Sequence, residues 1–373
     1  MKKILMIGPF PGSLNGQTIA NQTVYEGLKA NHNIDRINTL KENDFTDKSK
    51  QGKFILSKFI KILEELLSEI KEIIANKYDV VYMTSGQSFL GFMRFAPYML
   101  TCIIKNIPYY NHIHGGYFRK MYDSQSKFKQ KILNFFIKKS MGIIVLGESL
   151  KKMFEGILQD NKIYVCENGV QEDVVATDDE IKEKIIRYKK DNKKRVLYLS
   201  NLMVEKGILD LLKASETFKD NEIEINLAGA IEPSIKPKIQ DYLKKYPKKI
   251  KYHGIVDGLK KKKLFLENYI FILPSYDEGQ PISILEAYAT GCAVLTDESI
   301  GGITDIFKEN SNGLNLKIKN IEIIEKSIKK IEEIKYIEKN YNHFKKYYTK
   351  TSFIERIVKI IEKKKGIIWK LFI

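Results

Sequence analysis

Two parallel α/β domains of similar size are predicted for this 373-residue chain, and three observations predict them. Short β-rich runs alternate with longer amphipathic stretches from one end to the other. The alternation restarts once, after a polar stretch from Gln171 to Lys194 that is first acidic (Asp178-Asp179-Glu180) and then lysine-rich. The length is enough for two cores of ordinary size.

In the first half, strands are expected at Lys3–Ile7, Asp79–Met83, Pro108–Ile113, Gly142–Leu146 and Ile163–Cys166. The clearest helix between them runs from Lys53 to Asn76, and Glu148-Ser149 opens a shorter one. The second set comprises Arg195–Ser200, Glu224–Ala228, Ile250–His253, Ile270–Leu273 and Ala293–Thr296. Phe89 to Ile104 is apolar but holds Arg94 and Pro97, so it reads as a buried helix and not as a membrane span. Domains are therefore expected at 1–175 and 176–345, with a helical tail over 346–373. That tail ends in Gly366-Ile-Ile-Trp-Lys-Leu-Phe-Ile373, an apolar terminus expected to dock on the first domain, a partner or a membrane.

The formal charge is +17, from 63 basic and 46 acidic residues. This favours anionic partners such as phosphates or an acidic lipid surface, although a lysine-rich background with solvated side chains gives the same number. The aromatics follow core periodicity and form no stacking platform, which argues against nucleic acid. Cys102, Cys166 and Cys292 have no paired spacing, so neither a disulfide framework nor a zinc site is expected. The apolar run after Lys2-Lys3 stops at Gly8-Pro9, too short for a signal-peptide core. A reducing cytoplasm suits all of this.

The most informative segment is Pro274-Ser-Tyr-Asp-Glu278-Gly279-Gln280-Pro281-Ile282-Ser283-Ile-Leu-Glu286. A buried strand runs into a turn with one carboxylate, and a helix opening near Pro281 carries the second. Gly279 allows a sharp bend, and the amides of Ile282 and Ser283 lie at the positive helix end, where phosphate binds. Two acceptor carboxylates around a phosphate cradle suit a ligand with hydroxyls at both ends and negative charge between. A nucleotide-sugar is such a ligand.

Other segments fall at strand ends. Pro9-Phe-Pro-Gly-Ser-Leu-Asn-Gly16-Gln17 follows the first strand, where a glycine loop lets backbone approach a phosphate or sugar. It lacks the G-x-G-x-x-G spacing of dinucleotide sites. His114-Gly115-Gly116 ends a strand at a place where a sugar hydroxyl fits, though a lone histidine there is more often a packed residue. Asn201-Leu-Met-Val-Glu-Lys206-Gly207 follows the first strand of the second set, and its lysine is placed to clamp a diphosphate. His253-Gly254-Ile255 offers backbone groups to a nucleobase edge.

In this order, the segments resemble the retaining glycosyltransferases of the GT-B fold, family 4, over nearly the whole chain. The resemblance includes Glu167-Asn-Gly-Val170 and the E-x7-E element. It implies an α/β fold of two Rossmann-like domains facing across a cleft, with a C-terminal helix returning to the first. It further implies that Glu278 binds donor-sugar hydroxyls and that Glu286 binds ribose. Lys206 would neutralise the diphosphate, His114 would lie near the reacting carbon, and the amides from Gly279 to Ser283 would hold phosphate and sugar. Gly16, Gln17, Gly115, Asn201, His253, Gly254, Ile255, Gln280 and Pro281 complete the expected binding set.

One departure is Asn201, where family members commonly carry arginine; it supplies neither charge nor a bidentate fork. Glu167 likewise replaces a frequent proline. No metal and no cofactor are expected. The expected partners are a UDP- or GDP-linked sugar donor and a glycan acceptor, free or lipid-linked, as in capsule, exopolysaccharide or O-antigen assembly. Lys127, Lys129, Lys131, Lys138 and Lys139, interleaved with Phe128, Ile132, Phe135 and Phe136, also suit peripheral contact with anionic membrane on its inner face. Core packing accounts for the same apolar stripe. The competing readings are a nucleotide-sugar 2-epimerase of the same fold and a non-catalytic nucleotide-sugar binder.

Overall fold

The computed structural model describes residues 1–11, 16–40, 56–317 and 320–363. The middle of the first glycine loop, the start of the helix expected at Lys53 and the terminal segment with Trp369 lie outside them. The chain divides into two compact units, Met1–Glu167 with Phe353–Ile373, and Asn168–Ser352.

The first unit is built on β1 (Lys3–Gly8), β2 (Asn33–Asn38), β3 (Val80–Met83), β4 (Tyr109–Ile113), β5 (Gly142–Val145) and β6 (Ile163–Val165). All pairings are parallel, in the order β2-β1-β3-β4-β5-β6. Successive side chains of a strand point to opposite faces, and both faces here are covered. Leu5, Ile7, Val81 and Met83 pack with Met99, Leu133 and Phe136 on one side. On the other, Ile4, Met6, Val80 and Tyr82 meet Ala20, Val24 and Leu28 of the Gly16–Lys29 helix. Phe353, Ile357, Ile360 and Ile361 of the last helix, Lys350–Glu362, join this second layer. Its end is tied down by Lys2 Nζ donating to the Ile361 carbonyl at 2.7 Å and by Tyr110 Oη donating to that of Ile360 at 3.3 Å. The C-terminal helix thus returns to the first domain.

The apolar run expected as one buried helix forms two, Phe89–Met93 and Ala96–Ile104. Pro97 sits in the first turn of the second, where a missing N–H costs nothing.

The second unit contains β7 (Lys194–Leu199), β8 (Ile223–Ala228), β9 (Ile250–Tyr252), β10 (Ile270–Leu273), β11 (Ala293–Thr296) and β12 (Gly313–Asn315). They too are parallel, ordered β12-β11-β10-β7-β8-β9. The chain passes between units at Glu167, earlier than residue 175, because residues 168–176 are already bonded into the second unit. Val170 N–H donates to the Tyr348 carbonyl and Ala176 N–H to that of Ala289, both at 3.0 Å.

Candidate active site

In the second unit the strand order reverses between β7 and β10. Ligands of open α/β sheets sit outside the carboxyl ends of strands at such a point. Lys206 follows β7 and Glu278 follows β10. Their loops are brought together by Gly207 (φ +70°), where a Cβ would lie 2.0 Å from the Pro274 carbonyl oxygen. The Tyr276 N–H donates to the Glu205 carbonyl at 2.9 Å, which fixes the register of the two loops. As a result Lys206 Nζ lies 2.7 Å from Glu278 Oε1 and 3.2 Å from the Asp277 carbonyl oxygen. From the end of β11, Gly301 (φ +49°) presses on the same turn: a Cβ there would sit 1.8 Å from the Glu278 carbonyl oxygen.

The second glutamate sits in the helix Ile282–Ala289. Glu286 is 5% exposed, and its Oε1 accepts from Lys261 Nζ at 2.8 Å. Pro281 is the residue before this helix, not its first helical position, and no side chain caps the helix start. The Ile284 N–H already donates to the Pro281 carbonyl, so the first amides, at Ile282 and Ser283, are the ones at the helix's positive end. Gly279 lies at a bend but outside the left-handed region, so the glycines that need their freedom here are Gly207 and Gly301.

The other predicted residues of this unit have more restricted roles open to them. Gln280 is buried and accepts from the Asn168 N–H at 2.6 Å, which ties the turn to the Glu167-Asn-Gly segment. Asn201 is exposed, and its carbonyl accepts from Tyr198 Oη. The His253 ring is engaged with Asn226 Oδ1 at 2.7 Å, and partial burial holds its pKa below the ordinary range. The Gly254 carbonyl accepts from the Gly229 N–H, which leaves the exposed Ile255 side chain as the open element of that loop.

In the first unit the strand order reverses between β1 and β3, and polar groups gather at the carboxyl ends. His112 and His114, two apart, project to one side, their ring centroids 4.1 Å apart. His112 Nδ1 is 2.6 Å from Tyr82 Oη. The Nε2 atoms of both rings are buried, with no hydrogen-bond partner among the described residues. Burial pushes the His114 pKa down to about 4, and burial followed by the neighbouring His114 pushes His112 well below the ordinary value. Both rings are therefore neutral near pH 7. Gln87 occupies the space beside Gly115, donating to the His114 carbonyl at 3.2 Å and accepting from the Tyr117 N–H at 2.7 Å. Gly16 opens its helix, and Gln17 Nε2 donates to the Thr84 carbonyl at 3.2 Å.

Among the described residues, no group of three His, Cys, Asp or Glu side chains converges to hold a metal ion. Nor, among them, is any helix long and apolar enough to cross a membrane. The sequence reading missed Lys261, His112 and Gly301. Lys261 lies in a run of four lysines, and nothing in the sequence says which of them turns inward. The Gly301-Gly302 pair after a predicted strand was the available signal for the third.

The sequence profile of the glycosyl transferases, group 1, matches residues 141–351. The chain belongs to this family. An uncharacterized glycosyltransferase of Methanocaldococcus jannaschii is 26% identical to the transferase over 274 residues, 69% of this chain and 67% of that one. An Escherichia coli UDP-Gal:α-D-GlcNAc-diphosphoundecaprenol α-1,3-galactosyltransferase is 25% identical over 303 residues, 75% and 74% of the two chains. Among solved structures, sucrose-phosphate synthase from Thermosynechococcus elongatus superposes with a TM-score of 0.74 at 14% identity, over 96% of the transferase and 98% of its own chain. That likeness shows the fold, GT-B with two Rossmann-like sheets.

Proposed function

We propose that this glycosyltransferase moves a hexosyl group from a nucleotide-sugar to a saccharide acceptor with retention at the anomeric carbon, as a family 4 enzyme. The observation that carries the reading is the pairing of both E-x7-E glutamates with lysines, Glu278 with Lys206 and Glu286 with Lys261, around the carboxyl end of β10. A donor with hydroxyls at each end and a diphosphate between them meets carboxylate acceptors at its ends, and the Lys206 cation with the helix amides in its middle. Glu278 binds the sugar, Glu286 the ribose, and Lys206 with the Ile282 and Ser283 amides binds the diphosphate. His114, neutral and with an unpartnered Nε2, suits a hydroxyl ligand and not a charged one.

The C1–O bond to the diphosphate breaks while the acceptor oxygen bonds C1 on the same face, and the acceptor proton passes to the departing phosphate oxygen. Positioned cations and amides offset the charge that grows on the leaving group, an electrostatic contribution that is usually large. No divalent ion takes part in this scheme, so turnover should be unchanged in EDTA.

We assign a lipid-linked glycan acceptor, in cell-surface polysaccharide assembly, on two supports. The E. coli relative's name specifies a diphosphoundecaprenol acceptor. In this chain, the Lys127–Lys139 helix splits its apolar residues: Leu133, Phe136 and Ile137 are buried, while Phe128 and Phe135 stand out among exposed lysines. That outer face fits an anionic lipid surface. The test is a thermal-shift screen of UDP-, GDP- and ADP-sugars, in which a ligand at about 100 times its Kd adds about 2.7 kcal/mol. It is followed by NMR of the product formed from the best donor. An inverted anomeric configuration overturns the retaining assignment, and absence of stabilisation by any nucleotide-sugar overturns the donor site.

A further inference from the structure

We infer that Lys261 is a positioning residue of the donor site, acting through Glu286 on the ribose; this rests on the reading of Glu286 above. Glu286 lies in the first two turns of the Ile282–Ala289 helix and is 5% exposed. A carboxylate so deep is costly without a counter-charge and a fixed geometry. Lys261 supplies both, from the helix Gly258–Glu267, with its Nζ 2.8 Å from Oε1. The side chains of the pair are only 15% and 7% exposed, so the contact is shielded from solvent. One oxygen of Glu286 is used by the lysine, and the other is left to accept from a ribose hydroxyl.

The arrangement is selective. Residues 260–263 are all lysine, and consecutive side chains on a helix point about 100° apart. Lys262 reaches away to Glu180 at 2.7 Å and Lys263 pairs loosely with Glu267 within its own helix. Lys261 alone of the four contacts the E-x7-E element. The pair repeats, at the nucleoside end, what Lys206 and Glu278 form at 2.7 Å at the sugar end. A carboxylate held in this way distinguishes a ribose from a sugar lacking its hydroxyls. A site built to bond a hydroxyl leaves its own polar group unpaired when that hydroxyl is absent. The rival role for Lys261 is a plain cross-link between two helices, and it predicts lost stability without altered ribose recognition.

The experiment is calorimetric titration of the full-length protein with UDP and GDP and their 2′,3′-dideoxy forms. The proteins compared are wild type, Lys261→Met, Lys261→Arg, Glu286→Gln and the Lys261→Met/Glu286→Gln pair. Wild type should bind the better ribonucleotide at least about 10-fold more tightly than its dideoxy form. Lys261→Met should lose at least about 10-fold for the ribonucleotide and almost nothing for the dideoxy form, so the preference collapses. Lys261→Arg should keep most of the preference. The double variant, which leaves no buried charge unpaired, keeps the test open if the single variant does not fold, and it should bind both forms alike. An undiminished preference in Lys261→Met, or a double variant that binds the ribonucleotide more weakly than Glu286→Gln alone, overturns the role of Lys261 and leaves the donor site standing; an undiminished preference in Glu286→Gln overturns the ribose assignment of Glu286. Equal binding of both forms by wild type overturns the ribose assignment of Glu286 itself.

Discussion

The polar cluster of the second unit and that of the first sit at equivalent places in their sheets, at the carboxyl ends of strands where the order reverses, yet they are made of different materials. In the second, carboxylates and ammonium groups stand in pairs at 2.7 and 2.8 Å, the first of them held by glycines that allow backbone to touch backbone. In the first, the groups are neutral: two histidine rings in tilted contact, Tyr82, Ser85 and Asn21. Several buried atoms there, including Ser85 Oγ, Asn21 Oδ1 and His114 Nε2, have no partner among the described residues. Paired charges suit a ligand that brings negative charge to Lys206 and hydroxyl groups to the two carboxylates. Neutral donors and acceptors left unsatisfied suit a ligand of hydroxyl groups, because a buried polar atom without a partner costs about 1–3 kcal/mol that such a ligand restores.

The sharpest way to break this contrast is to neutralise a charge without changing shape. Glu278→Gln keeps the volume of the side chain but removes the partner of Lys206. Turnover should fall roughly 100-fold, equivalent to about 3 kcal/mol of transition-state stabilisation. Thermal stability should change far less, because the pair is partly solvent-accessible. Steady-state kinetics with the donor found by the thermal screen checks this. Turnover within a factor of three of wild type would remove Glu278 from the chemistry and leave the second unit's charges without a stated task.

What the sequence made legible, and what it hid, follows the same division. The segment around Glu278 and Glu286 was readable because a buried strand, a turn and a helix start follow one another with few alternatives. β2 and β12 were not readable. Asn33–Asn38 buries only Ile34 and Ile37, and Gly313–Asn315 is three residues with a glycine, so neither edge strand shows a β-like run. His112 reads as one more strand residue until its contact with His114 is known. Lys261 is one lysine in a run, told apart from its neighbours only by where the helix turns it. Backbone proximities such as Gly301 against Glu278 arise from the packing of distant loops, which no local pattern records.

The neutral character of the first unit has a consequence for pH. An unfolded histidine titrates near 6.5, whereas folded His114 does so at about 4. Between those values the unfolded chain binds the proton and the folded chain does not, so stability rises with pH. The contribution is fully present above about pH 6.5 and is lost as pH falls towards 4, with about 2 kcal/mol of loss between pH 7.5 and 5. His112, also displaced downward, adds to the same trend. Urea unfolding at pH 7.5, 6 and 5 should show that His114→Gln removes about 2 kcal/mol of this loss and leaves the part due to His112. Parallel curves for wild type and variant would mean that the His114 ring is solvated and protonates freely, and the contrast with the charged second unit would weaken.

The smallest effect tests whether the second unit already has all the positive charge its ligand needs. Asn201 is exposed just after β7, on the same loop as Lys206, at the position where the resemblance to family 4 implies an arginine. If Lys206 and the helix amides suffice, an added exposed cation gains little, since such charges contribute up to about 1 kcal/mol and are screened by salt. Asn201→Arg should therefore tighten nucleoside diphosphate binding by no more than about fivefold at 0.15 M salt, with the gain shrinking at higher ionic strength. Titration with UDP and GDP at two salt concentrations reads both quantities. A gain of a hundredfold that survives high salt would show a shielded phosphate contact going unmade in this chain. Lys206 would then be only part of the clamp, and the asymmetry between the two units would reflect an incomplete donor site and not a choice of ligand.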